Sequence, residues 1–420
     1  MSEQRDVAPE HTDLLVIGGG PAGLTAATEL RRRTGARVVV LDREHEAGGI
    51  PRHSDHAGYG IRDRASFTTG PRYARKLVDL AQRAGVELRT GTMVTAWDPE
   101  GGASTVSPAG VARISSKVTL LATGARERPR SARMIPGDRP AGVYTTGELQ
   151  NAVHVHHRPI GDRAVVVGGQ LVSWSAVLTL KEAGCRTVAM VSEYARAESY
   201  GLFNAGGKAF FRTPVLTHSR VVRVIGRGRV SGVEIEDLRS GERRVIDCDT
   251  VVFTGDWIPD HELARSGGIV LDTLGTRGPL VDALGRTSAP GVFAAGNMVH
   301  PVDTADVAAL GGKHAAGAIA DYLERPQEPW GGGVRILAEA PFLWVSPGLY
   351  TPSLSPSRGK LLAWVNAEQA GPTTVTATQA GRVIGKKTMP WPVSPGRVFR
   401  MPWSLFSAAR IEDGPITIRL

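Results

Sequence analysis

The sequence predicts an α/β protein made of two successive βαβ units followed by a small all-β module. Three observations carry this. An apolar strand, a glycine-rich turn and an amphipathic helix follow one another across Asp13–Arg33. The same succession returns across Ala164–Ala183. After Pro326 proline, tryptophan and short alternating strands take over, as in Lys360–Val365 and Thr373–Thr378.

Taken in order, residues 1–12 are polar, lack the apolar core of a signal peptide and are expected to be flexible. Asp13–Ile17 reads as a strand, Gly18–Gly23 as a turn, Leu24–Arg33 as a helix and Val38–Asp42 as a second strand. A helix is predicted over 70–84, a strand at Val86–Arg89, and a small hairpin region over 92–121 that ends in the strand Val118–Ala122. The second unit opens at Ala164–Gly168, continues through a helix over 172–183, and reaches a strand at Thr187–Val191. Further strands are expected at Ser219–Ile225, Val230–Glu236, Thr250–Thr254 and Gly291–Gly296, then a helix over Thr304–Leu323. The expected division is 13–127 with 275–325 as the first α/β domain, 128–274 as the second, and 331–420 as the β-rich module.

Composition excludes several classes. No apolar run reaches the roughly 18–20 residues that span a bilayer, so no membrane span is expected and a cytoplasmic protein is the default. The net charge is +9, but the arginines are scattered without a basic helix face or interleaved aromatics, and nucleic acid is not an expected partner. The two cysteines, Cys185 and Cys248, each open an apolar strand-like run. A redox dithiol or a metal site needs closely spaced ligands, so both read as reduced, buried thiols.

The first turn carries the clearest chemistry. Gly18 permits a tight bend, Gly20 lets backbone approach a pyrophosphate, and Gly23 lets the helix pack on the sheet. The helix N-terminus behind Pro21 and Ala22 then offers unpaired N–H groups and a positive dipole end to phosphate. Asp42 closes the second strand, where an acid binds ribose hydroxyls.

Two later segments, Val118–Gly124 and Thr287–Asn297, together with the glycine pair Gly48-Gly49, resemble the remaining fingerprints of the two-dinucleotide-binding flavoproteins. That superfamily has the glutathione reductase-like FAD/NAD(P)-binding fold, with Rossmann-like three-layer ββα domains, and includes the pyridine nucleotide-disulfide oxidoreductases. The resemblance covers about residues 13–325 and implies FAD as cofactor. It implies contacts from Arg43, Arg52, Val94, Thr123, Gly124 and Gly296, besides the first turn, Asp42, Gly48 and Gly49. Asn297 stands where the family has an aspartate on the ribityl chain, and its amide oxygen can accept the same bond. The helix beginning at Thr304 and Ala305 is implied to aim its N-terminus at the flavin, stabilising negative charge on the reduced ring.

The second turn breaks the pattern. It reads Gly168-Gly169-Gln170-Leu171-Val172-Ser173, so glutamine and serine replace the second and third glycines. A side chain then stands where pyrophosphate must touch backbone, and NAD(P) in its usual pose is disfavoured. Glu193, near the end of the next strand, is the candidate ribose acid, with a simple exposed acid as the alternative. Both places where disulfide reductases carry their cysteines lack cysteine here, which excludes thiol–disulfide exchange through this chain. The segment Gly49–Gly60, beginning Gly-Ile-Pro-Arg-His, is similar to the FAD/NAD-type subunits of opine oxidases, hydrogen cyanide synthase and hydroxyproline or proline dehydrogenases. That likeness implies oxidation of an amino acid or secondary amine, a small-molecule substrate and a sister subunit; a homo-oligomer is the alternative assembly.

His53 and His56 are the candidate catalytic groups, since an imidazole near the flavin can take a proton as hydride leaves carbon. Loop residues bonded to phosphate or carboxylates are the alternative. His154 and His156 alternate as on a strand beside His157, but no cysteine or acid completes a zinc site and no metal is expected. Competing functions are an NAD(P)H-dependent flavin reductase acting alone and a non-catalytic electron-relay or scaffold subunit.

Overall fold

The computed structural model describes residues 10–98, 102–326 and 329–420. Its first sheet has a parallel core in the order Glu87–Arg89, Val38–Leu41, Glu10–Ile17, Gly110–Leu121 and Val292–Ala294. Every residue of Val38–Leu41 is buried, as expected for a strand covered on both faces. The register sets Ile17 beside Leu41 and Leu121, and Leu121 beside Ala294. Four strands therefore end at one level, and the segments that leave them share one rim.

The first strand begins at Glu10, inside the segment expected to be flexible, because Glu10, His11 and Thr12 pair with Ile114, Ser115 and Ser116. Residues 1–9 of that segment lie outside the described residues. The region read as a hairpin is a three-stranded meander, Met93–Asp98, Gly102–Ser107 and Gly110–Leu121. The last strand is 12 residues long: its first half completes the meander and its second half enters the parallel core.

The helix Pro21–Thr34 starts with proline, whose missing N–H costs nothing at a helix start. It buries Leu24, Ala26, Ala27 and Leu30 against the sheet and against the helix Ala305–Glu324. The two helices meet closely: a Cβ on Gly312 would fall 2.1 Å from the Ala22 carbonyl oxygen.

A second parallel sheet runs Val143–Thr145, Thr250–Phe253, Arg163–Val167, Arg186–Val191 and Val215–Leu216. A three-stranded antiparallel layer, Ser219–Ile225, Gly232–Asp237 and Arg243–Asp247, packs on it through Val221, Val224 and Val233. Two crossings join the first sheet to the second, Ala125–Glu127 and Trp257–Pro259, and these pair antiparallel. Glu127 staples this joint: its buried carboxylate accepts N–H bonds from Gly147 and Gly255, each at 2.9 Å.

The C-terminal region is all-β, with two sheets of five and three strands facing each other over Ile336, Phe342, Leu361, Val375, Met401 and Ile418. It is tied to the first unit by Arg335–Asp272 at 2.6 Å and Arg400–Asp303 at 2.7 Å. Asp272 belongs to that unit, against the expected boundary at 274, because after the crossing Trp257–Pro259 the residues Ala264 and Ile269 already pack with Leu15 and Ile17.

Two local readings need correction. His154 lies on a helical turn, Asn151–Val155, that continues Thr146–Gln150, so it and His156 are not on a strand. The helix Gly201–Phe211 is absent from the sequence reading, since three glycines weaken its signal.

Candidate functional site: a glycine turn, its acid and two helix starts

The first rim gathers the predicted residues. Gly18 donates to the Leu41 carbonyl at 2.9 Å, and the Gly19 N–H meets the Asp42 carboxylate at 2.9 Å. Asp42 is held above its ordinary pKa chiefly by burial, opposed by its N–H bonds from Glu44 and Gly19. Gly48 donates to the Gly19 carbonyl at 2.7 Å, which lays the glycine pair Gly48-Gly49 across the turn. Above Gly20 the space is open: an added Cβ would meet only the Gly49 Cα, at 4.0 Å.

The late segment closes on the same place. A Cβ on Gly296 would lie 2.7 Å from the Ala22 Cβ, so Gly296 sits against the first turn of the helix that starts at Pro21. Asn297 donates through Nδ2 to the Asp303 carbonyl at 2.9 Å, which fixes its amide, and its Oδ1 is buried without a partner. An orphaned buried acceptor is costly and calls for a donor such as a hydroxyl. Thr304 is the N-cap of the helix Ala305–Glu324. In its first turn the Val307 N–H donates to the Thr304 carbonyl and the Asp306 carboxylate, each at 3.0 Å, and ahead of it stand the N–H groups of Ala305 and Asp306. An open cradle over Gly20, a buried acid, an unpaired amide oxygen and two helix N-termini fit an extended dinucleotide such as FAD.

Other predicted residues sit differently. Arg52 donates to the Glu46 carbonyl at 3.0 Å and pairs with Glu44 at 3.3 Å, so its guanidinium braces the loop after Asp42. The exposed Arg43 lies between Glu44 and Asp260. Thr123 Oγ1 donates to the Asp260 carbonyl at 2.6 Å, and Gly124 accepts from the Asp260 N–H at 3.0 Å, so this pair fastens the first rim to the joint. Val94 is buried within the meander.

The two candidate histidines separate. His56 has both ring nitrogens engaged, Nδ1 with the Ala57 carbonyl at 2.9 Å and Nε2 with Ser54 Oγ at 3.1 Å. His53 has both nitrogens buried and unpartnered. Burial, reinforced by the Arg52 charge, pushes its pKa down to about 4, so the imidazole is neutral at pH 7 and a weaker base than an ordinary histidine.

The second rim repeats the first atom for atom up to a point. Gly168 donates to the Val191 carbonyl at 2.8 Å, as Gly18 does to Leu41, so Ser192 stands in the place of Asp42. The carboxylate facing the Gly169 N–H comes instead from Glu198, at 3.3 Å, and Ser192 Oγ donates to it at 2.9 Å. Glu193 is exposed; the acid at the turn is Glu198, six residues beyond Ser192, where the usual spacing does not look for it. Burial raises the pKa of Glu198. Ser173, in the place of Gly23, bonds Thr254 Oγ1 at 2.6 Å and accepts from the Gln170 N–H at 3.0 Å.

Both cysteines are buried, on different hydrophobic clusters of the second unit, and burial pushes each thiol up to about 12. Among the described residues no group of three His, Cys, Asp or Glu is placed to hold a metal, and no helix is long and apolar enough to cross a membrane.

A parallel sheet with a glycine turn and acid at its rim, joined by a two-stranded crossing to a second of the same plan, defines a two-dinucleotide oxidoreductase fold. Residues 12–313 match the family described as pyridine nucleotide-disulphide oxidoreductase, and the chain belongs to that family. Among curated proteins it is 28% identical to an alkyl hydroperoxide reductase component of Pseudomonas putida, over 77% of this chain and 60% of that one. It thus spans about 60% of the length of the curated relatives it matches. Among solved structures it resembles the thioredoxin reductase of T. acidophilum, with a TM-score of 0.62 and 21% identity, over 74% of this chain and 98% of that one. It also resembles the L-proline dehydrogenase of P. horikoshii, with a TM-score of 0.55 and 19% identity, over 77% of this chain and 58% of that one. Likenesses at this identity show the fold alone.

Proposed function

We propose that this chain is the FAD-binding subunit of a dehydrogenase or oxidase that oxidises an amino-acid- or amine-type substrate, working with a partner subunit and without NAD(P)H in its usual pose. The observation that carries the reading is the loop Gly48–His56. It is folded onto the first glycine turn, carries histidines and no cysteine, and its Gly-Ile-Pro-Arg-His sequence resembles that of amine-oxidising flavoprotein subunits.

In this reading the first turn, Asp42, Asn297 and the N–H groups from Ala305 hold FAD, which when bound supplies a two-electron acceptor for hydride. Gly20 leaves the approach to phosphate clear. Asn297 holds its acceptor oxygen in place through the Nδ2 bond to Asp303. His53, neutral at pH 7, can accept one proton from an amine; His56 positions the loop through Ser54 and Ala57. With no reactive thiol pair in the chain, relay to a disulfide is not among its chemistries.

The test is anaerobic. The purified protein, alone or with a co-purified partner, is expected to carry FAD, and one member of an amino-acid and secondary-amine panel is expected to bleach it. A colourless protein that takes up no FAD, or bleaching by NADH alone, would end this reading.

A further inference from the structure

The family's name implies a pyridine nucleotide at the second turn, and the residues there do not fit one. We propose that the C-terminal β module closes the second dinucleotide crevice, so that this unit has become the module's dock. In an open α/β sheet the ligand enters between the C-terminal ends of adjacent parallel strands. In the second unit those strands are Arg163–Val167 and Thr250–Phe253, with Val167 beside Phe253. The crevice between them is filled by the Gln170 amide: a Cβ on Gly255 would fall 2.4 Å from Gln170 Oε1.

The module then covers that side chain. A Cβ on Gly396 would lie 3.1 Å from Gln170 Cγ and 2.4 Å from the Glu198 Cβ. Gly396 has φ +77°, and the preceding Ser394 and Pro395 are buried. An L side chain here would be strained as well as blocked, so only glycine lets this loop reach the turn. Two contacts widen the dock: the Arg397 guanidinium lies 5.2 Å from the Tyr200 ring centroid, and Arg196 reaches Glu368 at 3.9 Å. The Glu198 carboxylate does not itself exclude a nucleotide, since Asp42 makes the same bond at the first turn. What differs is the position after it, open over Gly20 and doubly occupied at Gln170. Because the module also grips the first unit through Asp272 and Asp303, it ties the two units together.

The test uses the full-length, flavin-loaded chain with NADH and NADPH as probes. Equilibrium dialysis reads binding, and hydrogen exchange of peptides covering 168–173 and 394–398 reads the dock; visible absorbance reports FAD separately, so failure of the proposed function is seen independently. Wild type is expected to bind neither nucleotide. Gln170→Gly alone should gain little, because the Gly396 loop remains seated. Gly396→Val, which drives a side chain into Glu198, should raise exchange at both segments about ten-fold or more, and Gln170→Gly with Gly396→Val should bind NADH at least about ten-fold tighter than either single change. Tight nucleotide binding by wild type, unchanged exchange in Gly396→Val, or no gain in the double variant would each overturn the proposal.

Discussion

The two glycine turns share a scaffold and differ in one vacancy. In both, the first glycine donates to the end of the next strand, at 2.9 and 2.8 Å, and a carboxylate meets the second N–H, at 2.9 and 3.3 Å. In the first, the third residue is Gly20 under open space; in the second it is Gln170, wedged at Gly255. What holds such a turn is thus separable from what admits a ligand. Strand-end hydrogen bonds and a capping acid keep the βαβ bend intact, while what stands over the third position, nothing at Gly20 and both a side chain and the Gly396 loop at Gln170, decides whether phosphate can approach.

The comparison breaks most directly at Gly20. Gly20→Val puts its branches into space that no protein atom uses, so the chain should fold while flavin per chain falls at least about ten-fold, with apoprotein melting shifted by only about 2 °C. Gln170→Val, at the matching place, should leave flavin content unchanged. A Gly20→Val protein that keeps its yellow colour would refute the division between scaffold and vacancy.

The next effect is on stability. A Cβ on Gly23 would fall 2.0 Å from the Gly18 carbonyl oxygen, and Gly23→Ala should cost about 3 kcal/mol of unfolding free energy in urea. Ser173 already carries a Cβ, so Ser173→Gly meets no clash and should cost about 2 kcal/mol, the worth of its two hydroxyl bonds to Thr254 and the Gln170 N–H, lost as bonds and not as packing. Equal costs would mean that the two helices start alike. Asn297→Leu comes third: removing the unpaired buried oxygen should weaken FAD retention by about 1–3 kcal/mol, read by dialysis against free flavin, and Asn297→Asp should restore it.

Much of the first rim was legible because its signals are local. Strand, turn, helix and Asp42 all fall within 30 residues, and the strand Ser219–Ile225 lies on its predicted residues. The rest depends on contacts distant in sequence. Glu198 replaces the spacing-predicted Glu193 because the loop after Val191 returns to Gly169, where Ser199 donates to its carbonyl at 2.9 Å. Glu127 meets Gly255 across 128 positions, and Gly396 meets Gln170 across a greater distance still. His154 and His156 showed a period of two that helical residues also satisfy over so short a span.

The loops that follow the two rims supply the smallest test. In the first unit the chain turns through Ile50–Arg52 and buries both ring nitrogens of His53; in the second it runs from Ser199 into the helix Gly201–Phe211, a stretch without histidine. His53 sits near 4 in the folded chain against 6.5 for the free side chain, so between these values the unfolded chain binds more protons. Stability is therefore whole above pH 6.5 and falls as pH drops toward 4. From pH 6.5 to about 5.5 the loss should be about 1 kcal/mol, and His53→Gln should remove that part of the slope. Urea unfolding of both proteins across this range reads it. Parallel slopes would place His53 in water and return its imidazole to ordinary basicity, making it a better proton acceptor than its burial allows.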